Sequence, residues 1–289
     1  MKGIVLAGGT GSRLYPMTRV VSKQLQPVFD KPMVYYPLST LLEGGIQDIC
    51  VISTPQDLPL FQRLLGDGNR FGARFVYLEQ AEPRGIAEAF IIAREFLAGE
   101  AVTLVLGDNM FHGAGEFSSV LKGFEQGAHI FAYEVDDPSR YGVVDFDDSG
   151  KALSIEEKPG TPKSNDAVPG LYVYDRNVVE IAESLKPSAR GELEITDVNL
   201  SYLADNSLSV TRLSRGAAWL DAGTTSSLHE ASAYVQTIEK RTGVKVGCPE
   251  EAAFRSGLLS LDKLRDVISA MPQCEYRDYL EKIVRRSSS

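Results

Sequence analysis

The chain has 289 residues, of which 43% are hydrophobic and 24% are charged, and its formal net charge is −9. These values are typical of an ordinary globular protein with one large domain, or with one domain and an appendage. An acidic chain lacks the broad basic surface that nucleic acids require, so a local basic cluster must bind any anionic ligand. We therefore expect a small phosphorylated ligand and no nucleic-acid partner.

The sequence also argues against a membrane protein. No apolar run approaches the roughly 18 residues of a membrane span, and the apolar stretch at the N-terminus is too short for a signal peptide. The three cysteines lack CxxC spacing, which favours reduced thiols over disulfides or zinc. We therefore expect a cytoplasmic protein without a membrane partner.

Short apolar runs alternate with helix-like segments in the first half of the chain. Strands are predicted at residues 3–7, 49–53, 74–78, 102–106 and 130–135, and helices at 34–43, 58–65, 85–97 and 117–126. This alternation predicts an α/β fold with a mostly parallel central sheet and flanking helices. Because ligands gather at the carboxyl ends of such strands, residues 8–13, 79–85 and 107–109 are expected to share one rim.

The pattern loosens in the second half. Residues 141–159 and 167–175 are predicted to form short strands and turns of an inserted sheet region. A helix is then predicted at 195–206, a strand at 208–213 and a long helix at 226–241. From residue 244 onward, the sequence indicates short helices with no obvious chemistry.

A glycine-dense loop follows the first predicted strand. Gly8, Gly9 and Gly11 come directly after residues 3–7, and Arg13 and Lys23 follow them. Glycines let backbone N–H groups approach phosphate oxygens, and the two cations add charge. The spacing fits neither the dinucleotide fingerprint nor the P-loop of nucleoside triphosphatases. A plain turn with surface cations would explain the glycines about as well.

Two aspartates end apolar runs, Asp108 in LVLGD and Asp221 in AWLDAG. Mg²⁺ binds one or two carboxylates together with phosphate oxygens and needs no cage made only of protein atoms. The two side chains could converge on one metal. A role in capping a turn or helix is the alternative for Asp108.

Charged residues in the second half fit a sugar phosphate. In IEEKP, a carboxylate such as Glu157 can accept hydrogen bonds from adjacent sugar hydroxyls, while Lys158 can hold a phosphate. Strand alternation predicts Glu156 and Lys158 on one face and Glu157 on the other, unless the proline that follows bends the register. Arg190 offers a two-pronged phosphate contact. Ordinary surface charge pairing would also explain these residues.

Gln80 and Gly85 are candidates for contact with a base. A glutamine amide presents a donor beside an acceptor, which matches the O4 and N3–H edge of a uracil-type base, and glycine lets a ring lie against backbone. A helix-capping loop is the simpler alternative. Trp219 is the only tryptophan, and such a residue more often belongs to the core than to a stacking platform.

Ten motifs in order carry a family resemblance. They are LAGGTGSRLYP, SKQLQPVFDKPMVYYPLSTL, ISTPQDLP, LLGDG, LVLGDNMFHG, DPSRYGVV, EEKPGTPKSN, PGLYVYD, LKPSARGELEITDVN and AWLDAGT. In these motifs the chain resembles the glucose-1-phosphate thymidylyltransferases over nearly its whole length. The resemblance implies a Rossmann-like nucleotidyltransferase fold with a catalytic domain at 1–243 and a helical extension at 244–289. Within that domain it implies a nucleotide part at about 1–135 and a sugar-binding part at about 136–225.

The resemblance also implies the site residues. The nucleotide-binding set would be Leu6, Ala7, Gly8, Gly9, Gly11, Arg13, Lys23, Gln80, Gly85 and Asp108. The sugar-binding set would be Gly142, Glu157, Lys158, Val168, Tyr172 and Arg190. Mg²⁺ would bind Asp108 and Asp221. Catalysis would rest on Arg13, Lys23, Asp108, Lys158 and Arg190.

The implied reaction transfers a thymidylyl group from dTTP to α-D-glucose 1-phosphate, giving dTDP-glucose and pyrophosphate for the synthesis of deoxysugars such as rhamnose. The resemblance further implies a homotetramer, inhibited by a downstream deoxysugar nucleotide at a second site that includes residues 248–255. A UTP-using or other sugar-1-phosphate nucleotidyltransferase, and a catalytically silent nucleotide-sugar sensor, remain alternatives.

The chain departs from the family pattern at several positions. The family usually has PDGLAQA where this chain has PRGIAEA, so that Arg84 stands beside Gly85. This exchange of an acid for a base keeps the use of UTP open. Asp166 replaces a tyrosine, and Ala222 replaces a threonine. We expect these substitutions to alter the sugar-binding end of the site or the surroundings of the metal.

Overall fold

The computed structural model describes residues 1–287. Its strands are β1 (Lys2–Leu6), β2 (Pro27–Val28), β3 (Lys31–Pro32), β4 (Asp48–Ser53), β5 (Arg74–Glu79), β6 (Val102–Leu106), β7 (Asn109–His112), β8 (Ala128–Glu134), β9 (Gly142–Phe146), β10 (Ala152–Glu157), β11 (Asp166–Ala167), β12 (Leu171–Tyr174), β13 (Leu208–Arg212) and β14 (Ala218–Asp221). Its α-helices are α1 (Tyr35–Glu43), α2 (Leu58–Leu65), α3 (Glu88–Ile92), α4 (Arg94–Leu97), α5 (Glu116–Gly123), α6 (Val178–Ser184), α7 (Ile195–Ala204), α8 (Thr225–Thr242), α9 (Pro249–Arg255), α10 (Leu261–Ser269) and α11 (Glu275–Ser287).

The central sheet has the strand order β10-β9-β11-β8-β12-β6-β1-β4-β5, with β13 paired to β8. β1 runs parallel to β4 and β6, β4 to β5, and β8 to β13. β12 lies antiparallel between β6 and β8, so those two strands point the same way. The mostly parallel sheet of the prediction is confirmed, and the antiparallel β12 is an addition to it.

Hydrophobic cores lie on both faces of this sheet. Val5 of β1 belongs to one core with Leu38 of α1 and Phe61 of α2. Its neighbour Ile4 belongs to the other core with Phe90 of α3. Successive strand residues point to opposite faces, so a strand covered on both sides must be apolar at every position. This is why β1 is a continuous apolar run in the sequence.

The helix predicted at residues 85–97 differs in the structure. Gly85 has a φ of 104°, in the left-handed region, and lies in a loop before α3. The helical stretch is then divided at Ala93, where α3 ends and α4 begins. α2 spans the predicted residues 58–65, whereas α6 was not predicted.

The strands β7 and β14 form a separate antiparallel pair in which Asn109 lies opposite Asp221. β7 begins two residues after β6 ends, so its register is tied to the central sheet. The Ala222 backbone N–H donates to the carbonyl of Asp108 at 3.2 Å. This pairing joins chain segments that are far apart in sequence.

Charged side chains attach the segment after α8 to the rest of the fold. Lys245 forms ion pairs with Asp30 and, at 3.1 Å, with Glu239 of α8. Lys31 lies 3.0 Å from Glu239 and is only 3% exposed. The β2–β3 turn, α8 and the start of the C-terminal helices therefore share one charge cluster.

Among the described residues, no helix has both the length and the apolar character needed to cross a membrane.

Candidate active site

A cleft of about 510 Å³ opens at the carboxyl ends of β1, β5 and β6 and extends to β9 and β10. The predicted rim contributes Gly8, Gln80 and Asp108. Of the site residues named from sequence, those lining the cleft are Leu6, Gly8, Gly9, Arg13, Lys23, Gln80, Gly85, Asp108, Gly142, Glu157, Lys158, Val168, Tyr172, Arg190 and Asp221. Ala7 and Gly11 are not in this lining. Ala7 is 1% exposed, and its backbone N–H donates to the carbonyl of Ile52 at 2.7 Å.

The glycine loop leaves open space beside the cleft. Gly9 has a φ of 94°, and a Cβ atom at that position would meet nothing within 4 Å. Gly11 precedes a short 3₁₀ helix, Ser12–Leu14, which carries Arg13. The Thr18 hydroxyl donates to the carbonyl of Gly11 at 2.9 Å. The loop is thus held at Gly11 and presents Arg13 next to an unobstructed stretch of backbone.

Asp108 is 9% exposed and forms an ion pair with Lys23. Its Oδ1 atom accepts a hydrogen bond from Asn109 Nδ2 at 3.1 Å. Burial alone would raise the pKa of Asp108, but the Lys23 charge and these hydrogen bonds hold that pKa below its ordinary value. The carboxylate is therefore ionised and already has a cation beside it.

Asp221 is brought next to Asp108 by the β7–β14 pair. Burial first, and the Asp108 charge second, raise the pKa of Asp221 above its ordinary value. Arg140 Nη2 lies 3.9 Å from Asp221 Oδ2. A carboxylate whose charge is disfavoured by a neighbouring carboxylate is suited to a cation that both can share. No group of three or more His, Cys, Asp or Glu side chains within residues 1–287 is placed to hold a metal, so two carboxylates are what this site offers.

Asn109, which sequence reasoning placed on the rim without giving it a role, connects two walls of the site. Its Oδ1 atom accepts hydrogen bonds from Trp219 Nε1 at 2.7 Å and from the Gly170 N–H at 2.9 Å. Trp219 is buried, as expected, but it also lines the cleft and meets the Tyr141 ring edge-on at 4.8 Å. The place of Trp219 in the cleft could have been inferred from the sequence. Trp219 lies two residues before Asp221 in β14, so both side chains point to the same face.

Glu157 ends β10 and is contacted by three polar groups. The Thr196 hydroxyl donates to Glu157 Oε2 at 2.6 Å. Lys158 Nζ lies 3.1 Å from Glu157 Oε1, and Arg190 Nη2 lies 3.7 Å from the same oxygen. Lys158 has a φ of 43°, so its backbone leaves the strand geometry. The predicted separation of Glu157 from Lys158 on opposite faces is therefore wrong, because this left-handed turn brings both to the cleft.

Gly142 leaves a space between these groups. A Cβ atom at Gly142 would lie 3.5 Å from Glu157 Oε2, 3.5 Å from Thr196 Oγ1 and 3.8 Å from Val168 Cβ. Tyr172 is 4% exposed, and burial raises the pKa of its phenol. Its hydroxyl therefore keeps its proton and can donate a hydrogen bond into the cleft.

Two of the departures from the family pattern have structural partners. The Arg84 guanidinium donates to Glu82 at 2.9 Å and is 62% exposed, so it extends away from the cleft lining. Asp166 accepts two hydrogen bonds from Arg212, at 3.1 and 2.9 Å. Both substitutions form local ion pairs.

Comparison with known proteins identifies the family. The nucleotidyl transferase family model matches residues 2–238. The chain is 56% identical over 288 residues to the glucose-1-phosphate thymidylyltransferase of Mycolicibacterium smegmatis, which spans 99% of this chain and 100% of that protein. It is 54% identical over 289 residues to the glucose-1-phosphate thymidylyltransferase of Neisseria meningitidis, with coverage of 99% and 100%.

A solved structure agrees with these sequence comparisons. A Bacillus anthracis protein, provisionally named a glucose-1-phosphate thymidylyltransferase and solved with sucrose, superimposes with a TM-score of 0.76 at 42% identity, covering 81% of this chain and 94% of that one. The chain therefore belongs to the nucleotidyl transferase family and, within it, to the glucose-1-phosphate thymidylyltransferases.

Proposed function

We propose that the cleft binds dTTP, Mg²⁺ and α-D-glucose 1-phosphate together and produces dTDP-glucose and pyrophosphate. One observation carries this proposal: a single cleft holds both a largely buried pair of carboxylates with two cations and a second pair of cations around Glu157. The first group comprises Asp108, Asp221, Arg13 and Lys23. The second comprises Lys158 and Arg190. A reaction between two polyanions needs such an arrangement, because each phosphate must be neutralised where it binds.

The chemical step requires no general base. A sugar phosphate is already an anion near neutral pH, so the barrier lies mainly in bringing it close to the triphosphate. Lys158 and Arg190 would bind the attacking phosphate and orient it. Arg13 and Lys23 would contact the triphosphate and stabilise the leaving pyrophosphate. An oxygen of the sugar phosphate forms the new bond to the α-phosphorus as the bond to pyrophosphate breaks on the opposite side.

Asp108 and Asp221 fit Mg²⁺ by donor type and charge, with phosphate oxygens and water completing the coordination. When bound, the ion would offset negative charge on the nucleotide phosphates. Lys23 is paired with Asp108 in the structure. We therefore expect Lys23 to exchange this carboxylate for a phosphate oxygen when the nucleotide binds.

The sugar itself would lie near Gly142, where a Cβ atom would fill the available space. Glu157 can accept hydrogen bonds from two adjacent hydroxyls, and the Thr196 contact fixes its orientation. Tyr172 and Val168 would complete the wall of this sugar-binding part. The nucleotide part would be formed by residues of about 1–135, and the sugar-binding part by residues of about 136–225.

We also propose a second, inhibitory site for a deoxysugar nucleotide. A cavity of about 410 Å³ lies between the body of the protein and the C-terminal helices, and Cys248, Glu251 and Arg255 line it with His112. This proposal includes a homotetramer in the cytoplasm, working in the synthesis of a dTDP-deoxysugar such as rhamnose. Inhibition by dTDP-rhamnose and a tetrameric mass by light scattering would support it.

A panel of pyrophosphate-release assays tests the activity. It crosses dTTP and UTP with the 1-phosphates of glucose, glucosamine and mannose, with and without Mg²⁺. We expect the fastest release with dTTP and glucose 1-phosphate in the presence of Mg²⁺. Faster release with UTP would favour a uridylyltransferase. No release with any pair would contradict the enzymatic proposal and favour a nucleotide-sugar sensor.

A further inference from the structure

The segment that follows β4 contacts both ends of the glycine loop. It belongs to the motif ISTPQDLP, residues 52–59, and these residues lie outside the cleft lining. At one end of the loop, the hydroxyl of the fully buried Ser53 donates to the carbonyl of Ala7 at 2.9 Å. At the other end, the backbone N–H of Ser22 donates to Oδ1 of Asp57 at 3.1 Å. The motif therefore holds the loop where it begins and where it ends.

Asp57 stands at the N-cap position of α2, but its side chain does not cap this helix. An aspartate at that position usually accepts a hydrogen bond from a backbone N–H in the first turn, and the Asp57 side chain makes no such bond. Its two carboxylate oxygens have other partners. Oδ1 accepts from Ser22, and Oδ2 accepts from the Thr54 hydroxyl at 2.9 Å. Thr54 therefore fixes the carboxylate in the orientation that holds Ser22.

Ser22 in turn begins the short 3₁₀ helix Lys23–Leu25. Ser22 is only 6% exposed, and its carbonyl accepts from the Leu25 N–H at 3.1 Å. Asp57 thus holds the N–H of Ser22, while the helix uses its carbonyl. Lys23 has a flexible side chain, whose reach depends on where its backbone is anchored. That side chain lies in the cleft and pairs with Asp108.

We propose that Asp57 is a positioning residue for the triphosphate: through Ser22 it holds Lys23 where the nucleotide phosphates bind. A carboxylate would repel a phosphate that it touched, but Asp57 is outside the cleft lining and acts through the backbone. Cations that are already in place stabilise a phosphoryl transfer best, because no free energy is spent on ordering them during the reaction. The inference rests on the proposed function, because it takes Lys23 as a contact of the triphosphate.

Asp57→Ala tests the proposal. We expect the KM for dTTP, and the dissociation constant for dTTP measured by calorimetry with Mg²⁺, to rise by about tenfold, the scale of a hydrogen bond to a charged group. The KM for glucose 1-phosphate should change much less, because other segments carry Lys158 and Arg190. A purely structural role would lower the thermal stability and affect both substrates alike. Equal changes in the two KM values would therefore overturn the proposal.

Asp57→Asn is the conservative variant. Its side-chain oxygen can still accept from the Ser22 N–H, and its amide nitrogen can donate to the Thr54 hydroxyl oxygen. We expect it to bind dTTP nearly as well as the wild type, because the proposal depends on the contact with Ser22 and not on the charge. A loss as large as that of Asp57→Ala would count against the proposal.

Thr54→Val keeps the test available if Asp57→Ala does not fold. It removes the hydroxyl that orients the carboxylate and leaves Asp57 in place. We expect the dTTP affinity to fall, but by less than in Asp57→Ala. An unchanged dTTP affinity in Thr54→Val would contradict the proposed route.

Asp67→Ala is the matched control. Asp67 follows α2 and also holds a backbone N–H, that of Asn69 at 3.0 Å, but it contacts a local turn and is not part of the cleft lining. We expect this variant to bind dTTP as the wild type does. A loss of dTTP affinity equal to that of Asp57→Ala would show that the effect is not specific to the glycine loop, and the proposal would fail.

A double-mutant cycle tests whether Asp57 acts through Lys23. In a Lys23→Ala background, Asp57→Ala should produce no further change in the calorimetric affinity for dTTP, and a full additional change would refute the route through Lys23. Failure of the wild type to bind dTTP, or to release pyrophosphate from it, would instead contradict the proposed function.

Discussion

The proposed sugar-phosphate contact depends on individual cations, and among them Lys158 has a left-handed backbone. Lys158→Ala removes a charge beside Glu157. We expect kcat/KM for glucose 1-phosphate to fall by about 10- to 100-fold, since a hydrogen bond to a charged group contributes about 1.5–3 kcal/mol. The KM for dTTP should change little. Steady-state pyrophosphate release, with each substrate varied in turn, measures both effects.

Lys163→Ala is the control for this variant. Lys163 pairs with Glu156 and is 56% exposed, outside the cleft lining. We expect the Lys163→Ala variant to have the kinetics of the wild type. Near-normal use of glucose 1-phosphate by Lys158→Ala would contradict the assignment of Lys158 to the sugar phosphate.

The two carboxylates of the proposed metal site, Asp108 and Asp221, give a second prediction at the scale of single residues. Asp221→Asn keeps the shape of the side chain and removes its charge. Because a hard cation binds carboxylates more strongly than amides, the Mg²⁺ concentration for half-maximal turnover should rise by about tenfold or more. Metal titrations of pyrophosphate release measure the shift. Asp48→Asn, at the start of β4, serves as the control, and an identical titration curve for Asp221→Asn would exclude Asp221 as a ligand.

Residues that follow strands were the ones that sequence reasoning could place. Gly8, Gln80 and Asp108 each come just after a parallel strand, and all three line the cleft. The convergence of Asp108 with Asp221 was raised as a possibility and was implied by the family resemblance, but the residue pattern alone could not establish it, because it depends on the pairing of β7 with β14. The common orientation of Glu157 and Lys158 was foreseen only as an exception, in which Pro159 disturbs the strand, because the sequence does not show the left-handed backbone that Lys158 adopts.

At the scale of elements, the loop before α3 is joined to the loop before α7. The Leu193 N–H donates to the Arg84 carbonyl at 2.7 Å, and the Ala87 N–H donates to the Leu193 carbonyl at 3.2 Å. Gly85 lies against this contact: a Cβ atom there would be 2.3 Å from the Leu193 carbonyl oxygen. The loop that carries Arg190 ends at this same contact, so the loops of the proposed base and sugar-phosphate contacts are joined by hydrogen bonds.

Gly85→Ala should therefore affect both substrates. The added methyl group separates the two loops, and we expect the KM values for dTTP and for glucose 1-phosphate to rise together. Initial-rate kinetics and thermal unfolding measure the effect. Gly99→Ala is the control, because Gly99 also has a positive φ, 76°, but a Cβ atom there meets nothing within 4 Å. A rise in only one KM would contradict the connection.

Helices and strands were predicted with different success. α2 was predicted well because Asp57 and Pro59 mark its start and Gly66 its end, which are local signals. The late start of the helix predicted at 85–97 was missed because the Leu193 contact holds Gly85 out of the helix. The antiparallel direction of β12 could not be predicted either, because an apolar run carries no information about its neighbours.

At the scale of the whole molecule, the cluster of Asp30, Lys31, Glu239 and Lys245 couples stability to pH. Burial alone would raise the pKa of Asp30, but Lys31 and Lys245 hold it below its ordinary value. A carboxyl group with a lowered folded-state pKa stabilises the fold above its unfolded pKa of about 3.9, and loses this contribution as the pH falls through the folded value.

Asp30→Asn should therefore lower the free energy of unfolding by about 1–2 kcal/mol at pH 7. The difference from wild type should begin to shrink as the pH falls below about 4 and should disappear once Asp30 is protonated in the folded protein as well. Thermal unfolding of both proteins between pH 3 and pH 8 measures this difference in stability. Asp262→Asn, at a position 89% exposed, should match the wild type throughout. A difference for Asp30→Asn that does not vary with pH would contradict this account.

The pairing of β7 with β14 also sets an order of assembly. During synthesis Asp108 leaves the ribosome well before Asp221, because β14 comes near the end of the catalytic region. A nascent chain can form the strands around Asp108 and still lack the second carboxylate. Fragments that stop before β14 therefore cannot form the carboxylate pair, and the chain acquires both carboxylates of the proposed metal site only after most of its residues have been made.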